Sequence, residues 1–302
     1  MNYTSDKKRT AFIAIIIAVM TILLITAIIL GFSKTGNRKS SKNSDSSEAA
    51  PIVINELRIN DLYQGERRIP KFDIPLNEYN NESFLKAASS GKIFYEEAAV
   101  GIDVSDYQQD IDWGKVKADE IDFAMIRVGF RGFTEGGLMA DKRFVENMTG
   151  AIENDIDVGV YFFSQAITEE EAVQEAQYVI DQIKDFNITY PVIYDWEPIT
   201  NHAENAIPRT RDCTADDLTR FTIAFCEEIK NNGYYPAFYT NKNMGYSMYD
   251  LEELKDYDMW YAEYQDIPSF YYHFDMWQYT ESGTINGISV PVDLNLSMKP
   301  YK

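Results

Sequence analysis

The chain has 302 residues, enough for one large domain or two ordinary ones of roughly 150 residues each. Its 45% hydrophobic and 25% charged residues exclude disorder throughout, and a net charge of −20 argues against nucleic acid, whose phosphates need clustered Lys and Arg. Two distant His (His202, His273) exclude HExxH-type zinc sites and two Cys exclude a disulfide scaffold, so no metal and no cofactor is expected.

Residues 1–10 form a short tail. Residues 11–32 (AFIAIIIAVMTILLITAIILGF) carry no charge and only Thr21 and Thr26 as polar interruptions. As a helix this run would measure about 33 Å, enough to cross a hydrocarbon core of roughly 30 Å. A cleaved signal peptide would have a shorter apolar region, about 7–15 residues, ending in a small-residue cleavage site. Neither feature is present, so one transmembrane helix is expected. Flanking charge does not orient it: Lys7, Lys8 and Arg9 precede the run, while Lys34, Arg38, Lys39 and Lys42 come after it.

From residue 33 the composition turns to Ser, Lys, Asn, Asp and Gly, that of a solvated tether. Residues 51–97 mix short apolar islands without a sustained period. We read 33–97 as a linker or stalk ending in a partly ordered lead-in. Fully flexible, it would span on the order of 45 Å; with 51–97 packed on the next domain, roughly half that. The first 50 residues are net basic, so the acidity belongs to residues 51–302.

Beyond residue 98, short β-branched and aromatic runs recur at 100–105, 123–130, 158–164, 191–197, 235–241, 259–264, 274–280 and 292–296. Helical stretches separate the early runs. The third opens with Thr168 and Glu171 spaced as a capping box. The fourth opens on Thr214 as N-cap and closes at Gly233. The fifth is the short DLEELKD at 250–256. A parallel strand-helix-strand crossover needs a dozen or more connecting residues, so the last two intervals leave no room for full helices. The expected fold is therefore α/β: an incomplete TIM-like barrel, (β/α)5 followed by three strands, over residues 98–302. Cys213 and Cys226 would stand on the order of 17 Å apart along one helix, too far for a disulfide, which needs Cα atoms within about 7 Å.

In such barrels chemistry sits at the carboxyl ends of the strands. Asp103 lies in GIDVS, Asp195 and Glu197 in YDWEP, and Asp293 in VDLNL. On a strand, residues two apart share a face, so Asp195 and Glu197 should enter the mouth while Trp196 turns away. Crowded acids separate in pKa, one protonated and one ionised, which is the equipment of glycoside cleavage. A D-x-E in so acidic a chain also occurs by chance; its place at a strand end is what lends it weight. Tyr161, Tyr239 and Gln278, also near strand ends, are either packing or substrate-binding groups. Arg127 reads best as a structural ion pair. Tyr271, Tyr272 and Trp277 either line a sugar groove or cap the barrel.

These segments carry a resemblance. GIDVS-x-x-Q with I-D-W shortly after, then IRVGFRG, VGVYFFSQA, PVIYDWE, AFYTN, W-Y-A-x-Y, MWQYT-x-S-G and VDLNL, resembles glycoside hydrolase family 25, the Chalaropsis-type lysozymes, in that family's order over residues 98–302. The resemblance implies a barrel of five β/α units plus three strands, and cleavage of the β-1,4 bond between N-acetylmuramic acid and N-acetylglucosamine in peptidoglycan. It implies Glu197 as general acid and Asp195 as the carboxylate supporting the intermediate, with Asp103 and Asp293 completing the centre. Attack by the substrate's own N-acetyl group is implied, while an inverting route with an activated water stays open. Gln109 departs from the Gly common in relatives, which touches a turn. No choline-binding, SH3-like or LysM repeat is present.

The implied partner is the glycan strand of peptidoglycan, with the membrane held through the N-terminal helix. Such a substrate puts the protein in the cell membrane, single-pass, with the catalytic domain extracellular. Two rivals remain: a catalytically inactive barrel that binds wall glycan or scaffolds a remodelling complex, and an unrelated metal-dependent deacetylase, which the missing His clusters disfavour.

Overall fold

The computed structural model describes residues 55–88, 90–199 and 206–301. Val53–Lys302 form one compact unit. The apolar run 11–32, the tail before it and the start of the linker lie outside the described residues. Among those described, no helix is long and apolar enough to cross a membrane.

The unit opens with two small hairpins. Strands β1 (Glu56–Asp61) and β2 (Gly65–Pro70) pair antiparallel, as do β3 (Leu85–Lys86) and β4 (Ile93–Phe94). The barrel begins with β5 (Ala99–Val104), α1 (Trp113–Ala118), β6 (Phe123–Arg131), β7 (Leu138–Ala140), α2 (Phe144–Glu153), β8 (Asp157–Ser164), α3 (Glu169–Ile183) and β9 (Val192–Trp196). Then come α4 (Ala215–Asn231), β10 (Pro236–Asn241), α5 (Lys242–Ser247), β11 (Asp258–Ala262), β12 (Met276–Gly283) and β13 (Val292–Ser297). The sheet order is β5-β13-β12-β11-β10-β9-β8-β6, and β5 pairs with β6 to close eight strands; β7 hangs from β6 as a hairpin arm.

Neighbours run parallel from β5 round to β12, but β13 is antiparallel to both β12 and β5. The short link from Gly283 to Val292 can only reverse the chain, since a parallel return needs a crossover of about a dozen residues or more. The fifth helix is also displaced. Residues 251–256 make successive turns, and the helix instead occupies Lys242–Ser247, capped by the Asn241 side chain, which accepts from the Asn243 and Met244 amides. Leu251 and Leu254 are both buried at helical spacing, so the pattern was real but served turns packed on the core. The caps expected of Thr168, Thr214 and Gly233 are in place; Glu171, however, reaches back to the Ile167 amide rather than to the cap residue.

Strand alternation divides the core into two layers. Phe123, Met125, Ile193, Ala237, Tyr239, Trp260 and Met276 fill the lumen, while their neighbours Ala124, Ile126, Tyr194, Phe238, Tyr261 and Trp277 pack outward. Two glycines make the lumen possible: a Cβ at Gly101 would collide with the Phe123 ring, and one at Gly159 with the Met125 thioether. Tyr272 and Trp277 are fully buried in the outer layer, which removes them from any sugar groove.

Residues 55–97 pack on the barrel through buried Ile69, Phe84 and Ile93. They are tied down by polar contacts to the β11–β12 connection. The Tyr63 hydroxyl donates to the Ile267 carbonyl at 2.9 Å and the Tyr79 hydroxyl to the Phe274 carbonyl at 2.6 Å. Tyr272 accepts from the Phe72 amide at 2.9 Å and donates to the Pro70 carbonyl at 2.6 Å. Asp61, its carboxyl fully enclosed, closes the first hairpin by accepting from the Tyr63 and Gln64 amides and pairs with Lys242 at 2.8 Å; Lys242 in turn meets Glu263 at 2.7 Å. Cys213 and Cys226 are both free thiols.

Candidate active site

The four expected acids meet at one end of the barrel. Asp103 and Asp195 are the penultimate residues of β5 and β9, and Glu197 lies just beyond β9. Asp293 arrives differently from the expectation. It is the second residue of β13, and because that strand runs antiparallel its beginning lies beside the end of β5, with Asp293 opposite Asp103 in register. Trp196 does turn away, its indole donating to the Ala166 carbonyl at 3.1 Å in the outer layer.

Asp103 is the best supported of the acids. Its Oδ2 accepts from Gln278 Nε2 at 2.9 Å and from Asn295 Nδ2 at 2.7 Å. Each amide is itself oriented: Gln278 Oε1 accepts from the hydroxyls of Tyr239 at 3.1 Å and Tyr264 at 3.2 Å, and Asn295 Oδ1 accepts from the Trp260 indole at 2.8 Å. Burial raises the Asp103 carboxyl to about 6, against the pull of those two donors. Tyr239 and Gln278, expected as substrate contacts, thus have their polar atoms engaged within the protein. The Tyr161 hydroxyl makes no hydrogen bond to the described residues; its ring lies 5.9 Å from that of Trp260.

The other three carboxyls lack such support. Asp195 is buried with Oδ1 unpartnered, and burial first, then the charges of Glu197 and Asp103, push it well above 3.8. Burial, then Asp103, raises Glu197 from 4.5 to about 7. Burial, then Asp103 and Glu281, raises Asp293 to about 8. Both members of the D-x-E pair are pushed upward, Asp195 well above 3.8 and Glu197 to about 7, and Asp103, which alone receives two amide donors, is the carboxyl best placed to hold a charge.

Several positioning groups escaped the sequence reading. Gln165, fully buried, donates from Nε2 to the Glu197 carbonyl at 2.8 Å and so fixes the backbone from which the acid projects. Asn295 lies two residues beyond Asp293, and the same alternation that paired Asp195 with Glu197 could have found it. Gln108, in the GIDVS-x-x-Q motif, closes a capping box with Ser105 and donates to the Pro291 carbonyl at 3.4 Å, joining the turn after β5 to the start of β13. Gln109 beside it holds φ at 59°, a region glycine enters more freely. Arg127 pairs with Asp106 at 2.7 Å and Asp141 at 2.8 Å, the structural role expected of it.

A family model for glycosyl hydrolases family 25 matches residues 102–288. The chain belongs to glycosyl hydrolases family 25. An autolytic lysozyme of Clostridium acetobutylicum is 25% identical over 199 residues, 65% of this chain and 54% of that protein, so the chain spans about half the length of this relative. Among solved structures, the spore cortex lytic enzyme SleM of Clostridium perfringens is similar with a TM-score of 0.58 at 22% identity, over 70% of each chain. The modular autolysin LytC of Streptococcus pneumoniae, solved with a synthetic peptidoglycan ligand, is similar with a TM-score of 0.57 at 23% identity, over 80% of this chain and 56% of that one. At these identities the likeness speaks for the fold.

The family 25 match contains Asp103, Asp195 and Glu197 but stops short of Asp293 and Asn295, and the hairpins of 55–97 precede it. What the arrangement offers chemically is a Glu197 carboxyl raised to about 7, an Asp195 carboxyl pushed upward with an unused oxygen, and an Asp103 carboxylate held by two amide donors.

Proposed function

We propose that this family 25 chain hydrolyses peptidoglycan at the β-1,4 bond between N-acetylmuramic acid and N-acetylglucosamine. The observation that carries the reading is the meeting of four carboxyls at one barrel mouth, with Asp103 raised to about 6, Glu197 to about 7, Asp293 to about 8 and Asp195 pushed well above 3.8. Glu197, near 7, is matched to proton transfer at neutral pH and gives its proton to the glycosidic oxygen as the bond opens. Positive charge then develops at the anomeric carbon. The N-acetyl oxygen of the substrate closes on that carbon, and Asp195, through its unpartnered oxygen, accepts a hydrogen bond from the N-acetyl N–H and steadies the ring. Asp103 supplies the standing negative charge beneath. Water then opens the ring with Glu197 as base.

Mass spectrometry of muropeptides released from purified peptidoglycan tests this. Fragments ending in reducing N-acetylmuramic acid are expected. Reducing N-acetylglucosamine would refute the bond assignment, and co-sedimentation without release would favour an inactive glycan-binding barrel. The anomeric form of the first product separates the substrate-assisted route from an inverting one.

The same reading places the barrel outside the cytoplasmic membrane, with 11–32 as a single-pass anchor and 1–10 inside; its support is the length and apolarity of that run together with the location of the substrate. Protease added to intact protoplasts should remove the barrel, and full protection would overturn the topology.

A further inference from the structure

The β1–β2 hairpin stands ahead of the family-matched region, yet its tip reaches the same end of the barrel as the acids. Between it and the ends of two strands lies a cleft of about 350 Å³. Tyr63, Gln64 and Arg67 form the outer wall. The inner wall comes from Asn241, which ends β10, from its register partner Ala262, which ends β11, from Gln265, and from Lys242 and Glu263, whose charges are paired with each other. Gln265 comes directly after Tyr264, whose hydroxyl reaches Gln278 within the acid cluster. One loop therefore lines the cleft with one residue and holds the catalytic network with the one before it.

Arg67 gives the cleft its chemistry. Every other arginine among the described residues forms an ion pair with Asp or Glu. Arg67 does not. Its guanidinium bonds to the Gln64 side chain and lies 5.0 Å over the Tyr246 ring, and it is half-buried. Lys242, the other cation of the cleft, is already neutralised by Asp61 and Glu263. In a chain with 48 acids, a guanidinium held at a cleft wall without a carboxylate complements a carboxylate supplied from outside, which it can grip with two parallel N–H bonds. The half-exposed Tyr63 ring and the Gln64 and Gln265 carboxamides suit a polar chain with amide groups.

We propose that this cleft binds the peptide stem of the wall polymer, with Arg67 pairing to a stem carboxylate while the glycan lies across the acids. The inference rests on the peptidoglycan reading above and deepens it. The glycan backbone offers no free carboxylate where its lactyl group is joined to the stem, so the stem is the part of this substrate that carries the charge Arg67 lacks.

The test uses the full chain on two substrates, intact peptidoglycan glycan and the same glycan stripped of stems by an amidase. Arg67→Gln should raise KM about tenfold on the stem-bearing glycan with kcat unchanged, the loss expected of one charge-assisted pair. It should leave the stripped glycan unaffected. Arg67→Lys should recover part of the loss, and Arg68→Gln, one residue along and paired with Glu56, should change neither substrate. Equal loss on both glycans, or on neither, overturns the proposal. Fluorescence anisotropy with a labelled disaccharide-peptide and a labelled disaccharide reads binding without turnover. Arg67-dependent preference for the first without any hydrolysis would sink the hydrolase reading and keep the cleft. Hydrolysis without that preference would do the reverse.

Discussion

Replacing Glu197 by Gln should make the protein more stable, and increasingly so as the pH rises. The carboxyl is held at about 7 in the folded chain against an ordinary 4.5, chiefly by burial and then by Asp103. The folded state therefore binds this proton more tightly than the unfolded state does. Stability from the group is complete below about pH 4.5 and is lost as the pH climbs through about 7. An amide keeps the shape and cannot ionise, so it escapes that loss. The advantage of Glu197→Gln works out at roughly 1 kcal/mol at about pH 5 and roughly 3 kcal/mol at about pH 8. Urea unfolding tracked by Trp fluorescence at the two pH values measures it. The same variant should lose several orders of magnitude in turnover, which separates what the group does for catalysis from what it costs the fold. A constant difference between variant and parent at both pH values would refute the reasoning, because it would mean that burial does not hold the proton on Glu197.

Asp195→Asn should likewise stabilise the fold at neutral pH while removing most activity, read by the same unfolding curves and by muropeptide release. Asn295→Leu removes a donor at 2.7 Å from Asp103 and should move the acidic limb of the pH–rate profile upward by about one pH unit, with the alkaline limb unchanged. Gln165→Leu frees the Glu197 backbone and should lower kcat roughly ten- to hundredfold with KM little altered, the pattern of a misplaced acid rather than a lost contact. Cutting the chain at residue 98 strips Ile69, Phe84 and Ile93 from the core and should cost roughly 5 kcal/mol of stability, measured by denaturation of the two lengths side by side.

Much of this architecture was legible because eight apolar runs with five helices between them leave few topologies open. Thr168, Thr214 and Gly233 marked helix ends through local chemistry that needs no tertiary partner. The direction of β13 was harder to read, because a strand's own pattern is the same in either sense and only the length of the preceding link decides. Residues 55–97 were opaque for another reason: their buried side chains sit in turns and two-residue strands, so Ile69, Phe84 and Ile93 obey no period. The acids were found by their place near strand ends. Crowding of acids pointed to a raised Glu197, but which carboxyl is best held as an anion was hidden, since that depends on where the Gln278 and Asn295 amides donate, and those side chains come from strands far along the chain.

The hydrogen bond from Asn295 to Asp103 joins residues 192 positions apart. It forms only when β13 slots between β5 and β12, and β13 is the last barrel strand to be synthesised. Until then the barrel stands open, Asp103 lacks one of its two amide donors, and Asp293 is absent from the mouth. A nascent chain is therefore a poor catalyst until its final strand has docked. For a hydrolase of the kind proposed, the order of synthesis delays the appearance of a working site until nearly the whole domain has been made.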